Sequence, residues 1–383
     1  MDEIFLPTKE NKNVLINAAN IHGGGGVQVA ASFLYDLIHH KSTPFKYEII
    51  ASSEVARNLE KMGVRLNEFA FFYEENTYGI NAIWHNLINK KSKHCIIFNI
   101  FGPHYALFEK RYQITGFAQP WIIDASGYKV IGIFETFKNK IKYRMQQLFF
   151  KQADEIIVEL PHVKQGLLNK NIQIAANIHV IYNCVSNIYS QPDKWLPLGN
   201  SVSGPGLKIG YIGRDYAHKN LNVLPKVKSI LENYYKIDVT IYVTLNEEEW
   251  TRRSDYFRSN IVNLGSLNVA QCPVLYNKLD GVLFPSLLEC FSATPVEALF
   301  MERPLFASNR HFVRDVCKKH AIYFDPLDPH DIALKIRDYF ELPENEKQLF
   351  VKSGYDHVIS MPTSEDRSQN YINLIVSSLY GRH

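Results

Sequence analysis

Short apolar runs rich in β-branched residues, each followed by a longer segment of helical period, recur along this chain and confine it to parallel α/β architecture. Residues 13–19 (NVLINAA) read as a strand. Residues 27–39 follow, with apolar Val27, Ala30, Ala31, Leu34, Leu37 and Ile38 on one helical face. Residues 47–50, 95–100, 155–158 and 179–182 read as further strands. The alternation breaks at 186–207 (SNIYSQPDKWLPLGNSVSGPGL), a polar stretch rich in Pro, Gly and Ser that reads as an interdomain linker. It restarts with strands at 208–212, 239–243, 261–264, 281–284, 304–307 and 322–324. The predicted organisation is two doubly wound parallel-sheet domains, 1–185 and 186–361, followed by a terminal segment 362–383.

A chain of 383 residues suffices for two such cores, since a domain commonly takes ~100–200 residues. The formal net charge of +3 makes no electrostatic case for nucleic acid, and no nucleic-acid-binding signature accompanies it. No stretch approaches the ~20 apolar residues of a membrane span. The first residues, MDEIFLPTKENKN, lack the basic start and apolar core of a signal peptide. Cys95, Cys184, Cys272, Cys290 and Cys317 are scattered singly, with no CxxC pair or metal-like Cys/His cluster. The expectation is a cytoplasmic protein with reduced thiols and no structural zinc.

In open α/β sheets ligands gather where strands run out into helix N-termini, whose free N–H groups suit phosphate. Three junctions have that form. The first, IHGGGGVQVA, carries Gly23, Gly24, Gly25 and Gly26. It lets the backbone approach a ligand, but GxGxxG fails at Gln28 or Val29. The second, IGYIGRDYAHKNL, runs from a strand into Gly213, Arg214 and Lys219. A planar fork and a point charge suit a diphosphate; solvated surface charge is the plain alternative. The third is DGVLFPSLLECFSATPVEALF. Here Thr294 reads as an N-cap, Pro295 as N1 and Glu297 as N3, a capping box that would make Glu297 structural. Glu289 lies among apolar Leu287, Leu288, Cys290 and Phe291, where an acid is costly unless partnered.

These residues resemble glycosyltransferase family 4, the retaining glycosyltransferases with the GT-B fold. Glu289 and Glu297 reproduce the family's E-x7-E pattern after a strand ending in Pro285–Ser286. Gly213, Arg214 and Lys219 match its upstream element, and Gly23 to Gly26 its first glycine-rich loop. The resemblance spans most of the chain and is strongest over 208–335. It implies two Rossmann-like domains facing across a cleft, with the terminal helix (YINLIVSSLY, 371–380) returning to the first. It implies retaining, metal-independent transfer of a hexose from a nucleoside diphosphate sugar, with a UDP-sugar expected on family frequency and no further cofactor. By resemblance Arg214 and Lys219 hold the diphosphate, Glu289 the donor sugar and Glu297 the ribose. Backbone groups of Phe291, Ser292, Ala293 and Thr294 add donor contacts, and Gly24, Gly25 and Gly26 approach phosphates or acceptor. The acceptor is expected to be a glycan or a lipid-linked saccharide, as in the relatives that build bacterial surface polysaccharides such as O-antigen.

Two departures stand out. Cys290 and Ser292 replace loop glycines, and Thr294 the usual proline, displaced to Pro295. The first domain lacks the His–Asp pair of many relatives. Gln119–Pro120 occupy the corresponding stretch, and His104, in FGPHY, is the nearest histidine at a strand end and the candidate for a site role. Residues 137–151 (FKNKIKYRMQQLFFK) set Phe137, Ile141, Met145, Leu148 and Phe149 on one helical face, with Lys138, Lys140, Lys142, Arg144 and Lys151 over much of the rest. A core-packed helix with a solvated basic side is the preferred reading; peripheral contact with the inner face of the membrane is the other. A non-catalytic nucleotide-sugar-binding protein and a GT-B epimerase remain as alternative functions.

Overall fold

The computed structural model describes residues 13–39, 43–79, 81–83, 94–106, 109–124, 133–174 and 177–381. The described parts of 1–124, 133–183 and 362–383 form one compact unit, and those of 184–361 another.

The first unit is built on seven strands: β1 (Asn13–Ala18), β2 (Lys46–Ala51), β3 (Phe72–Glu74), β4 (Ile96–Asn99), β5 (Tyr112–Gly116), β6 (Glu155–Val158) and β7 (Ile178–Val180). They lie in the order β3-β2-β1-β4-β5-β6-β7, with every pairing parallel. Sequence pattern missed β3 and β5. The first is three residues long, and the second, YQITG, buries Gln113 and Thr115 where an apolar run would be expected. Thr115 is satisfied across strands. Asn17 donates to Asn99 at 2.9 Å, and Asn99 to Thr115 at 3.2 Å, at the carboxyl ends of β1, β4 and β5.

The helix Gly25–His39 buries Val27, Ala30, Ala31, Phe33, Leu34 and Leu37 against this sheet. Beside it lies the terminal helix Ser364–Tyr380, started by a capping box between Thr363 and Asp366. Its Tyr371, Ile372, Ile375 and Leu379 enter the same core, and Tyr371 meets Phe33 and Phe98 edge-on. Each such side chain contributes about 1.5–3 kcal/mol. A polar seam sets the register: Arg367 donates to Asn183 and Ser32, and Ser368 to Asp36 at 2.6 Å.

The helix Ile133–Phe150 corrects the reading of 137–151. Phe149 and Phe150 are buried, but Phe137, Ile141, Met145 and Leu148 stand exposed. The helix packs through its other side. Tyr143 stacks on Trp121, and Gln146 donates to the Tyr105 hydroxyl at 2.8 Å. Four of the five residues assigned to a core-facing stripe therefore face outward, because the aromatic anchors on the opposite side decide which face is covered.

The second unit has six strands: β8 (Leu207–Tyr211), β9 (Val239–Val243), β10 (Val262–Asn263), β11 (Gly281–Phe284), β12 (Leu305–Ser308) and β13 (Ile322–Phe324). Their order is β10-β9-β8-β11-β12-β13, again all parallel. β9, β11 and β12 are buried along their whole length, as a sheet covered on both faces requires. The stretch read as a linker is tied to this unit. It makes two short 3-10 turns, Asn187–Ser190 and Pro192–Lys194, and buries Tyr189 against Tyr276 and Phe300. In both sheets the strand order reverses beside the first strand of the unit, between β1 and β4 and between β8 and β11. Such switch points open a crevice at the strands' carboxyl ends, where loops leave in opposite directions.

Candidate active site

The loops leaving β8 and β11 meet at the second switch point. Gly213, just past β8, has φ +151°, a conformation open to glycine but strained for other residues. A Cβ there would come within 3.0 Å of the Tyr211 hydroxyl. That hydroxyl donates to the Arg214 carbonyl at 2.8 Å, and the Gly213 N–H donates to Thr244 at 3.1 Å, so the turn is held from two sides.

Arg214 Nε donates to Glu249 Oε1 at 2.7 Å, while the arginine side chain stays 47% exposed. Part of its donor fork is therefore open to a further acceptor. Glu249 also accepts from the backbone N–H groups of Asp215 and Asn246. Burial disfavours its charge, but the Arg214 hydrogen bond and the two backbone donors outweigh it and hold the carboxyl below the usual range.

Lys219 closes the short turn Ala217–Lys219, and Asn220 follows in the left-handed region at φ 58°. Asn220 is pinned there by donating to the Pro326 carbonyl at 2.7 Å. The Lys219 ammonium lies 2.5 Å from Glu289 Oε1, and the two side chains are only 12% and 11% exposed. It also lies 5.4 Å from the centre of the Phe284 ring, at the end of β11. His218 Nε2 is 3.9 Å from the same carboxylate oxygen. Burial pushes the His218 imidazole below its ordinary range, with Lys219 adding to the effect and Glu289 opposing it. The His218 carbonyl accepts from the Leu287 N–H at 2.8 Å, which ties the two loops directly together. Leu287, Leu288 and Cys290 are buried beneath Glu289, so the costly acid has its partner.

The helix after β11 spans Ala293–Phe300, with Ser292 at its N-cap position and no side-chain cap. This overturns the capping-box reading. Because the helix starts one residue before Thr294, Glu297 lies beyond its first turn and faces inward. Its Oε2 accepts from the Tyr276 hydroxyl at 2.9 Å. Burial raises the Glu297 carboxyl above its usual range, against the hydrogen bond from Tyr276. Thr294 is buried and donates to the Ile212 carbonyl at 3.1 Å, so it links this helix to the end of β8. Phe291, Ser292 and Ala293 are partly exposed at the helix start, where unpaired backbone N–H groups can receive an anion.

In the first unit, Gly24 turns at φ +67° and the helix begins at Gly25. A Cβ at Gly23, Gly24 or Gly25 would meet nothing within 4 Å, so this loop lies open; at Gly26 it would touch Ile21 and Phe101. His104 is 3% exposed, with Nε2 3.4 Å from Glu109 Oε2. Burial disfavours the Glu109 charge, but the hydrogen bonds from Arg111 prevail and hold the carboxyl well below the usual range. His104 is therefore turned into the interior, with its Nε2 facing the Glu109 carboxylate. Gln119 occupies the N-cap position of the short helix Pro120–Ile123.

The structure thus brings Gly213, Arg214, Lys219, Glu289 and the 291–294 helix start together within the second unit, with Glu297 behind them. Gly24, Gly25, Gly26 and His104 belong to the first unit. Sequence reasoning missed His218, although it lies inside the quoted Arg214-to-Lys219 span. It also missed Glu249 and Thr244, which no motif marks. Among the described residues no group of three His, Cys, Asp or Glu side chains is arranged to hold a metal.

Residues 201–356 match the family described as "Glycosyl transferases group 1". The chain is 21% identical over 225 residues to the O-antigen chain mannosyltransferase RfbU of Salmonella typhimurium, covering 55% of this chain and 58% of that protein. It is 23% identical over 182 residues to the capsular polysaccharide biosynthesis glycosyltransferase CapM of Staphylococcus aureus, covering 45% of this chain and 48% of that protein. The chain thus spans about half the length of the curated relatives it matches. Among solved structures, a glycosyltransferase from Rickettsia africae superposes with a TM-score of 0.68 at 17% identity, over 97% of this chain and 100% of that one. An Anabaena protein, HepE, solved in complex with UDP-glucose, superposes with a TM-score of 0.66 at 12% identity, over 97% of this chain and 100% of that one. The fold is GT-B, two parallel-sheet α/β domains.

Proposed function

We propose that this chain, whose residues 201–356 match the glycosyl transferases group 1 family, transfers a hexose from a nucleoside diphosphate sugar, with retention, to a glycan or lipid-linked acceptor. The observation that carries this reading is the Lys219–Glu289 pair at the switch point between β8 and β11, with Arg214 beside it.

Arg214 and Lys219 receive the diphosphate. Arg214 offers a forked donor already oriented by Glu249, and Lys219 a point charge held by Glu289. The start of the helix Ala293–Phe300 adds backbone donors and the positive end of its dipole. As the bond from the sugar's anomeric carbon to phosphate oxygen breaks and the bond to the acceptor oxygen forms, negative charge grows on the departing nucleotide. These fixed donors stabilise it, which makes the reaction independent of a divalent metal. The acceptor hydroxyl's proton passes to the departing phosphate oxygen, and the nucleoside diphosphate leaves. Glu289, a nearly buried carboxylate, accepts hydrogen bonds from the donor sugar's hydroxyls. We assign the ribose to the neighbourhood of Glu297, whose carboxylate already accepts from Tyr276. Cys290 and Ser292, bulkier than glycine, narrow the loop that shapes donor choice.

The donor we favour is a UDP-sugar, a reading supported by the UDP-glucose in the HepE structure. The names of RfbU and CapM support a role in bacterial surface polysaccharide synthesis, which we place in the cytoplasm. The test is calorimetric binding of UDP-, GDP- and ADP-sugars with and without EDTA, together with turnover of Glu289→Gln and Lys219→Ala. We expect nucleotide binding regardless of EDTA and at least about a hundredfold loss of turnover in each variant. Near-wild-type turnover in both would sink the site assignment. Tight nucleotide-sugar binding without turnover would move the protein to the non-catalytic class.

A further inference from the structure

We propose that the outward face of the helix Ile133–Phe150 docks the protein onto an anionic membrane surface. Phe137, Ile141, Met145 and Leu148 are 65%, 48%, 41% and 60% exposed. Their spacing of 4, 4 and 3 residues gathers them into one stripe about a quarter of the helix circumference wide. Lys138 and Lys142 flank this stripe on one side, Arg144 and Lys151 on the other. Glu135 is the single acid in the helix sequence IFETFKNKIKYRMQQLFF.

The stripe is not required to hold the helix in place. The opposite side already does so, through Tyr143 on Trp121, Gln146 on Tyr105, and Phe150 against Phe117 with ring centres 4.8 Å apart. Large apolar side chains that gather on a surface without serving the core mark a binding face. The basic flanks identify the partner. Anionic headgroups neutralise lysines on both sides of the stripe, while the apolar side chains enter the boundary between headgroups and acyl chains. No helix among the described residues is long and apolar enough to cross a membrane, so this helix lies on the surface rather than through it. The inference stands on the helix itself. It adds to the transfer reading a surface on which a lipid-linked acceptor would be met.

The test is cosedimentation of the full chain with vesicles of phosphatidylcholine alone or containing phosphatidylglycerol. We expect binding only to the anionic vesicles, weakened by salt. We expect at least about a tenfold loss of affinity in Ile141→Asp/Leu148→Asp and in Lys138→Glu/Lys142→Glu. All four residues are exposed, so circular dichroism should match wild type. Turnover on a soluble acceptor analogue should be unchanged, which separates this proposal from the catalytic one. Failure of the wild type to bind anionic vesicles would overturn the proposal, as would equal binding by both variants. So would a concentration-dependent dimer abolished by Ile141→Asp/Leu148→Asp, because it would assign the face to a second copy of the chain.

Discussion

Replacing Lys219 by Met tests whether the pair with Glu289 is the keystone of the second unit's site. The two side chains are 12% and 11% exposed and 2.5 Å apart. Removing one partner from a fully buried pair costs about 3–5 kcal/mol, because the other charge is left without compensation. A fully exposed pair is worth about 0.2–1 kcal/mol. At this degree of exposure Lys219→Met should cost about 2–4 kcal/mol, and Glu289→Gln a similar amount. For a unit of this size, each kcal/mol shifts Tm by about 2–4 °C. The double variant should cost clearly less than the sum of the two, with a coupling of at least about 1 kcal/mol, since neither charge is then left alone. The assay is urea unfolding of the full chain, followed by fluorescence of Trp195 and Trp250, which lie in the second unit. Additive single costs, or single costs within about 0.5 kcal/mol of zero, would refute the claim that the pair is interdependent.

Glu297→Gln should change how stability depends on pH. Burial raises the Glu297 carboxyl above its ordinary value of 4.5, so the folded state holds this proton more tightly than the unfolded chain. That contribution is complete below the ordinary carboxylate range and is lost as pH rises through the elevated folded value. Wild type should therefore lose stability relative to Glu297→Gln over that rise, and parallel stability profiles from pH 4 to 8 would count against it. Gly213→Ala forces a side chain onto φ +151° and within 3.0 Å of the Tyr211 hydroxyl. It should cost about 1–3 kcal/mol and weaken nucleotide binding by displacing Arg214; unaltered denaturation and affinity would show that the turn is not constrained.

Much of the architecture was legible because parallel strands covered on both faces must be apolar throughout. β6, β9, β11 and β13 stand where their β-branched or apolar runs placed them. β5 was invisible because buried Gln113 and Thr115 interrupt its apolar run, and the partner that satisfies Thr115, Asn99, comes from another strand. The caps divided in the same way. The capping box at Thr363 follows local chemistry, whereas T-x-x-E at Thr294 did not become one, because Thr294 reaches the end of β8 and Glu297 reaches Tyr276. The helix at 133–150 shows the limit of amphipathic patterning. The stripe was readable, but which side met the body depended on Trp121, Tyr105 and Phe117.

The sequence by itself determined the α/β class, the repeated strand-to-helix turns and the residue types suited to phosphate at their ends. Each of these is set by side-chain period or by local backbone preference. The tertiary structure alone decided that Lys219 meets Glu289, that Arg214 is oriented by Glu249, that His104 is turned inward to Glu109, and that an apolar stripe is left facing outward. Strand order brings together the loops after β8, β9 and β11, and so joins Arg214 to Glu249 and Lys219 to Glu289 across distances in sequence that no local periodicity connects, while packing against neighbouring elements decides the other two.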